Sequence, residues 1–300
     1  MRRSSSLDGV INVLKPPGMT SSDVVVRLRR ILNTRKIGHT GTLDPEVTGV
    51  LPICVGKATR LAEYITNQGK SYRCEMIFGI TTDTQDASGE ILHKEPAQVS
   101  AEDFQRLIPQ YLGSIRQIPP MFSAVKHQGK RLYELARQGL EVERTSREIH
   151  IDHLQLMEWI AGEYPKAIFE VDCSKGTYIR TLCHDMGQTL GCGAHMSALI
   201  RLRSGPFHIQ ESLSLETIQN FMEQDDYSFL IPYIQVLDLP RVSLSPQRAL
   251  AFRNGLSTAK SQIEVGAEIG EGCEVQVFSE GNFLGIGIWR EQALCPYKVF

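Results

Sequence analysis

SYRCEMIFG, residues 71–79, alternates with a period of two: Tyr72, Cys74, Met76 and Phe78 are interleaved with Ser71, Arg73 and Glu75. That period predicts a β-strand with different chemistry on its two faces. The pattern changes on either side of it. Upstream, the apolar run VLPICVG (50–56) reads as a short buried strand, and Ala58, Leu61, Ala62 and Ile65 then recur at helical spacing. Further upstream, Ser21 or Ser22 can cap a helix running to about Leu32, with Asp23 in its first turn. Downstream, TTDTQDASGE (81–90) is a polar turn region. Ser100 and Asp103 then open a helix with Phe104, Leu107, Ile108, Tyr111 and Leu112 on one face.

IPPMFS (118–123) breaks that pattern, and a short helix, KRLYELARQ (130–138), stops at Gly139. Ile149–Glu158 and Ala167–Ser174 read as two more strands. From Tyr178 the spacing of Ile179, Leu182, Cys183, Met186 and Leu190 returns to a helix that ends at Gly191. Strands and helices are thus interspersed, with hairpin-like connections as common as crossovers. This predicts an α/β (α+β) domain with a mixed, mainly antiparallel central sheet and flanking helices, not a doubly wound one. The Pro/Ser-rich stretch VLDLPRVSLSP marks a boundary, dividing residues 1–235 from 236–300. In the second unit Ser245-Pro246 starts a helix that stops at Gly255. VQVFSEGNFLGIGIW (275–289) reads as a hairpin turning at Glu280-Gly281-Asn282, so this unit is small and mostly β.

The 300 residues are 42% hydrophobic and 22% charged, a globular composition with no apolar run near membrane-spanning length. The start, MRRSSSLDGV, has no apolar stretch behind its arginines, so no leader and a cytoplasmic location are expected. Seven cysteines, an odd number without a CxxC pair, read as reduced and mostly buried thiols. The net charge is −2, yet residues 27–36 carry five basic groups and no acid, and residues 116–148 carry seven against four. A phosphate polymer responds to local potential, so the near-neutral total does not exclude RNA. Either run alone is also an ordinary solvated face.

Three motif readings fail. Gly49 to Gly56-Lys57 has six residues between its glycines and Ala58 where a phosphate loop needs Ser or Thr. Cys183, His184, Cys192 and His195 make poor zinc ligands. Cys183 and His184 are neighbours on a helix and point apart, so no metal is expected. Cys183-His184-Asp185 fails as a triad for the same reason. GHTGTLDPEVTGVLPICVGKATR (38–60) remains. Pro45 biases Asp44 toward extended backbone, and Gly38, Gly41 and Gly49 permit tight turns around it. The result is a carboxylate on a loop edge, within reach of a substrate, or an Asx turn bonding its own backbone.

The strings INVLKPPGMTSSDVV, RKIGHTGTLDPEVTGVLPICVGKATRL, KSYRCEMIFGITTDTQDASGEI, QIPPMFSAVKHQGKRLYELARQG, CSKGTYIRTLCHDMGQTLGCGAHMSALIRLRSGPF and FRNG closely resemble the TruB-type tRNA pseudouridine synthases in their bacterial stand-alone form. They occur in the family's order and cover most of residues 10–207. PRVSLS…FRNG and the final hairpin resemble the family's small C-terminal, PUA-like RNA-binding domain. The resemblance implies the pseudouridine synthase fold and conversion of uridine 55 in the tRNA T loop to pseudouridine, with no cofactor and no metal. It also implies a part in tRNA folding.

Carried onto this sequence, the family's nucleophilic aspartate falls on Asp44 and its paired arginine on Arg180. The tyrosine that stacks on the target base falls on Tyr72, and Tyr178 and Leu199 fall on positions lining the same pocket. His39 matches the histidine that holds the T loop open. Residues 119–148 match an inserted segment that closes over the RNA, where Lys126, Lys130, Arg131 and Arg137 would meet phosphates. A carboxylate suits this chemistry because it can stabilise a cationic sugar, add to it, or remove a ribose proton. Attack at C1′ and a route through a glycal both remain open. The expected partner is the tRNA T-arm, bound by a monomer without guide RNA or membrane. The alternatives are a guide-RNA-dependent synthase and a non-catalytic tRNA-folding protein.

Overall fold

The computed structural model describes residues 7–263 and 270–300. The start MRRSSS, read above as part of a leaderless N-terminus, lies outside the described residues. The Tyr72 strand, Lys70–Phe78, lies inside a nine-stranded sheet. Its order is Gly9–Lys15, Thr48–Val55, Ala194–Ser204, Lys70–Phe78, Lys166–Cys173, Arg147–Ile160, Gly113–Gln117. Ile37–His39 pairs with the end of Thr48–Val55, and Phe207–His208 with Ala194–Ser204. All pairings are antiparallel except Ala194–Ser204 with Thr48–Val55.

The alternation has the consequence it predicts. Tyr72, Cys74, Met76 and Phe78 are buried, while Arg73 pairs with Glu170 and Glu75 with Lys166 on the other face. The covered face packs on the helices Ser21–Ile31, Ala101–Leu107 and Ile179–Thr189 through Val24, Leu28, Phe104, Leu182, Cys183 and Met186.

Local detail departs from the sequence reading at several points. The cap of the first helix is Thr20, not Ser21 or Ser22: its hydroxyl accepts from the Asp23 N–H and the Asp23 carboxylate answers. Ser21 is instead buried and bonds Leu43. The Ser100 capping box forms as expected, but the α-helix stops at Leu107 and a 3₁₀ turn follows, because Pro109 lacks the N–H a further α-turn needs. Leu112, placed above on the apolar face, is exposed. Ala194–Ser204, a central strand, and Gly9–Lys15, an outer one, were not foreseen as strands.

A second, five-stranded sheet begins at Arg241. Its order is Arg241–Ser243, Glu274–Ser279, Asn282–Arg290, Ala293–Val299, Thr258–Ala259. The helix Pro246–Arg253 is capped by Ser245 as read. The hairpin turns on two residues, Glu280 and Gly281, both at positive φ, and Asn282 already pairs with Ser279. This sheet meets the helical turns Gly56–Leu61 and Ala62–Thr66 that follow Thr48–Val55: Arg60 donates to the Val299 carbonyl and lies over the Phe300 ring, and Lys298 bonds Glu63.

Gly49 is required where the 40–47 loop enters the sheet. Its φ is +110°, and a Cβ there would lie 2.2 Å from the Arg201 carbonyl oxygen on the parallel neighbour. Gly49→Ala is therefore expected to destabilise the protein by about 2 kcal/mol or more. Urea unfolding measures this; a loss below ~0.5 kcal/mol, ordinary for a surface change, contradicts the account.

Candidate active site

The loop 40–47 connects the strand Ile37–His39 to Thr48–Val55 and carries Asp44. Its turn is closed by backbone, the Val47 N–H donating to the Asp44 carbonyl at 3.1 Å. The Asx-turn alternative is not what forms. The Asp44 carboxylate instead meets Arg180, Nε to Oδ2, at 3.1 Å. Arg180 sits in the first turn of the helix Ile179–Thr189, its side chain only 7% exposed against 42% for Asp44.

All three nitrogens of the Arg180 guanidinium are engaged. Besides Asp44, Nη1 meets Asp86 Oδ2 at 3.4 Å and donates to the Thr84 carbonyl at 3.2 Å, and Nη2 donates to the Phe122 carbonyl at 2.8 Å. One side chain thus ties the Asp44 loop to the 83–89 turn and to the root of the 119–148 segment. The turn is fixed in its own right. Gln85 adopts φ +64° and accepts from the Thr181 hydroxyl, while Asp86 Oδ1 accepts from Thr84 and Ser88.

Two buried cations support the loop from behind. Lys15 is fully buried at the end of its strand and donates to the carbonyls of Pro16, Pro45 and Val47, each at 2.8 Å. Burial lowers its pKa to about 8, against the opposing pull of Glu46 and Asp44. Arg201 is 1% exposed and donates Nε to the Val50 carbonyl and Nη2 to that of Gly41. It stands opposite Tyr72 in the strand register, and its guanidinium interacts with the Tyr72 hydroxyl.

The electrostatics follow from this packing. Desolvation pushes the Asp44 pKa above the ordinary carboxylate value; Arg180 pulls it down, Asp86 pushes it up and Lys15 pulls it down. Burial likewise raises Tyr72 and lowers His39, each opposed or aided by Arg201. His39 accepts the Gly41 N–H at Nδ1, at 3.4 Å.

The fold brings most of the expected residues together. Leu199 pairs with Cys74, two positions from the Arg201–Tyr72 pair, and so shares the Tyr72 face. Tyr178 is the residue before the Arg180 helix, its backbone N–H and carbonyl both held by the Gln117 amide. Lys126, Lys130, Arg131 and Arg137 form a separate group, exposed on the hairpin Lys126–His127/Lys130–Arg131 and the helix Leu132–Ala136. Arg131 and Arg137 flank the Tyr133 ring at 5.9 and 5.6 Å. The segment that carries this group is tied to Arg180 through the Phe122 carbonyl. Asp86, Lys15 and Arg201 were not foreseen. The rejected zinc set is dispersed: Cys183 Sγ lies 3.4 Å from Cys74 Sγ in the core, and His195 bonds the Ile80 carbonyl.

Residues 29–179 match the family described as TruB family pseudouridylate synthase (N terminal domain), and residues 180–240 match the tRNA pseudouridylate synthase B C-terminal domain. The chain is 45% identical over 300 residues to tRNA pseudouridine synthase B of Heliobacterium mobile, covering 98% of this chain and 95% of that one. It is 50% identical over 257 residues to the protein of that name from Symbiobacterium thermophilum, 85% of each chain. Among solved structures it resembles a chain of a Cbf5-Nop10-Gar1 complex (TM-score 0.75, 29% identity, covering 98% of this chain and 85% of that one). It also resembles a chain of an H/ACA RNP bound to a substrate RNA containing 2′-deoxyuridine (TM-score 0.74, 27% identity, 98% and 85%).

Proposed function

The chain belongs to the TruB family of pseudouridylate synthases, and on that premise we propose that it isomerises uridine 55 in the T loop of tRNA to pseudouridine, acting alone in the cytoplasm. The observation that carries the reading is the Asp44–Arg180 ion pair, on a loop held by Lys15 and by Arg201, the strand partner of Tyr72.

The reaction breaks the N1–C1′ bond, turns the base and forms a C5–C1′ bond; C5 releases its proton and N1 gains one. Uracil stays in the site and no water attacks, so one carboxylate suffices, where a glycosidase needs two. Asp44 supplies it, as nucleophile at C1′ or as base toward the ribose. Enclosing a flipped-out nucleotide desolvates it further, which would protonate it were it alone; Arg180 opposes that and fixes its direction. Tyr72 and Leu199 offer the base a flat and an apolar surface, Tyr178 borders it, and His39 stands at the mouth. The exposed basic residues of 119–148 would meet the T-arm backbone, and the five-stranded unit would add a second RNA contact. The two-unit division at 235/236 and the monomeric state belong to the same proposal.

The test is tritium release from a T-arm stem-loop labelled at uracil C5. Release by the purified chain, lost when uridine 55 is changed to cytidine, is expected; no release, or release indifferent to that change, overturns the reading. The role of Tyr72 separates in two variants. Tyr72→Phe is expected to keep stem-loop affinity, whereas Tyr72→Leu loses the ~1–3 kcal/mol of a base–aromatic stack. Affinity and turnover at the parent level in both variants would remove Tyr72 from the site.

A further inference from the structure

Tyr178 begins a helix that its own side chain does not cap. It is the N-cap residue of Ile179–Thr189, extended at φ −102° and ψ 108°, and makes no side-chain cap bond. Ser, Thr, Asp or Asn would supply that bond from a short polar side chain. The Tyr178 backbone is held from outside instead. Gln117 Nε2 donates to the Tyr178 carbonyl at 3.0 Å, and the Tyr178 N–H donates to Gln117 Oε1 at 2.8 Å. One side-chain amide thus pairs with both main-chain groups of one residue, as a neighbouring strand would, and fixes direction as well as distance. Gln117 is 2% exposed, a burial that is costly unless both ends of the amide are bonded. Its own backbone is anchored as the last residue of the strand Gly113–Gln117, opposite Arg147.

The clamp lies two residues before Arg180, a rise of about 3 Å along a helix. Arg180 makes contacts of 2.8–3.4 Å to three separate segments, at Asp44, at Thr84 and Asp86, and at Phe122. Any displacement of the helix start is carried into that guanidinium, and about 1 Å of misplacement can cost ~100-fold in rate. The Thr181 hydroxyl steadies the same turn through Gln85, but that bond holds a side chain and leaves the backbone direction free. Resting on the proposed function, we infer that Gln117 is a positioning residue for the isomerisation: its amide stands in for the missing helix cap, and so sets Arg180 against Asp44 and Tyr178 at the edge of the pocket. Gln117 acts through these two residues and touches no reacting atom.

The test uses two variants. Gln117→Met keeps the length and loses both bonds without adding charge. Gln117→Asn keeps the amide but draws it back by one methylene. Each is assayed below its own melting temperature. Single-turnover tritium release at saturating stem-loop is expected to fall about ten- to thirtyfold in both, with stem-loop affinity within about threefold of the parent. The charged groups that act on Asp44 are Arg180, Asp86 and Lys15, and the Tyr72 hydroxyl is the titratable group that feels it. The variants loosen Arg180, which lowers the Asp44 pKa, so the acidic limb of the pH–rate profile is expected to move to higher pH. Gln117→Met added to Arg180→Met is expected to cost little beyond Arg180→Met alone, because both act through one guanidinium. A lower melting temperature with the parent rate and the parent limb would make Gln117 a structural residue only and overturn the inference. So would losses that multiply in the double variant, an affinity loss equal to the rate loss, or failure of both variants to fold. Absence of tritium release by the parent protein would instead overturn the proposed function, and this inference with it.

Discussion

Asp44→Asn is expected to abolish single-turnover tritium release while leaving stem-loop affinity within about threefold of the parent. The amide is nearly isosteric and can still accept a hydrogen bond from Arg180 Nε. It can neither add to C1′ nor take a ribose proton. Enzymes draw ~8 kcal/mol or more of barrier reduction from all sources, so loss of the reacting group itself leaves only positioning. A rate within about tenfold of the parent, ~1.4 kcal/mol of barrier, would show that Asp44 is not the reacting group. Retained binding also separates modification from any role in tRNA folding, which needs contact and not chemistry.

Arg180→Met is the second large effect, a rate loss of about a hundredfold or more together with a displaced pH profile. On the proposed chemistry Asp44 acts ionised, so the rate is expected to fall as pH drops through its folded pKa, which already lies above the ordinary carboxylate value. Arg180 is the strongest influence lowering that pKa. Removing it leaves desolvation and the Asp86 charge pushing upward, so the acidic limb is expected to move to higher pH. Arg180→Lys keeps a charge but cannot span two carboxylates and two carbonyls, and its limb is expected between those of the parent and Arg180→Met. A pH–rate limb identical in all three proteins would mean that Arg180 does not act through Asp44.

The legible parts of the sequence were those whose pattern runs unbroken. The Tyr72 strand alternates from Ser71 to Phe78, the Arg180 helix keeps its spacing, and Ser100 and Ser245 announce their helices. AHMSALIRLRS is equally a strand, but its register shifts between Met196 and Ala198 and again between Arg201 and Arg203, so the alternation changes phase and conceals it. GVINVLK is buried along almost its whole length and shows no period to read. The same burial conceals Lys15 and Arg201. A charged side chain is expected at the surface, and only the fold reveals the carbonyls that make these two tolerable inside. Asp86 stood among Asp83 and Glu90 in a stretch read as a polar turn, and nothing but geometry distinguishes the acid that meets Arg180. Asp44, Arg180 and Tyr72 were placed by resemblance. The structure then puts Asp44 against Arg180 and Tyr72 against Arg201, which is also the strand partner of Gly49.

Mapping pseudouridine along a whole unmodified tRNA transcript incubated with the purified chain alone tests the central claim most directly. Carbodiimide treatment followed by primer extension reports every uridine at once. The expected result is one stop, at position 55, with no guide RNA added and none with Asp44→Asn. Stops at other uridines, a requirement for an added guide RNA, or a stop at 55 that survives Asp44→Asn would contradict it.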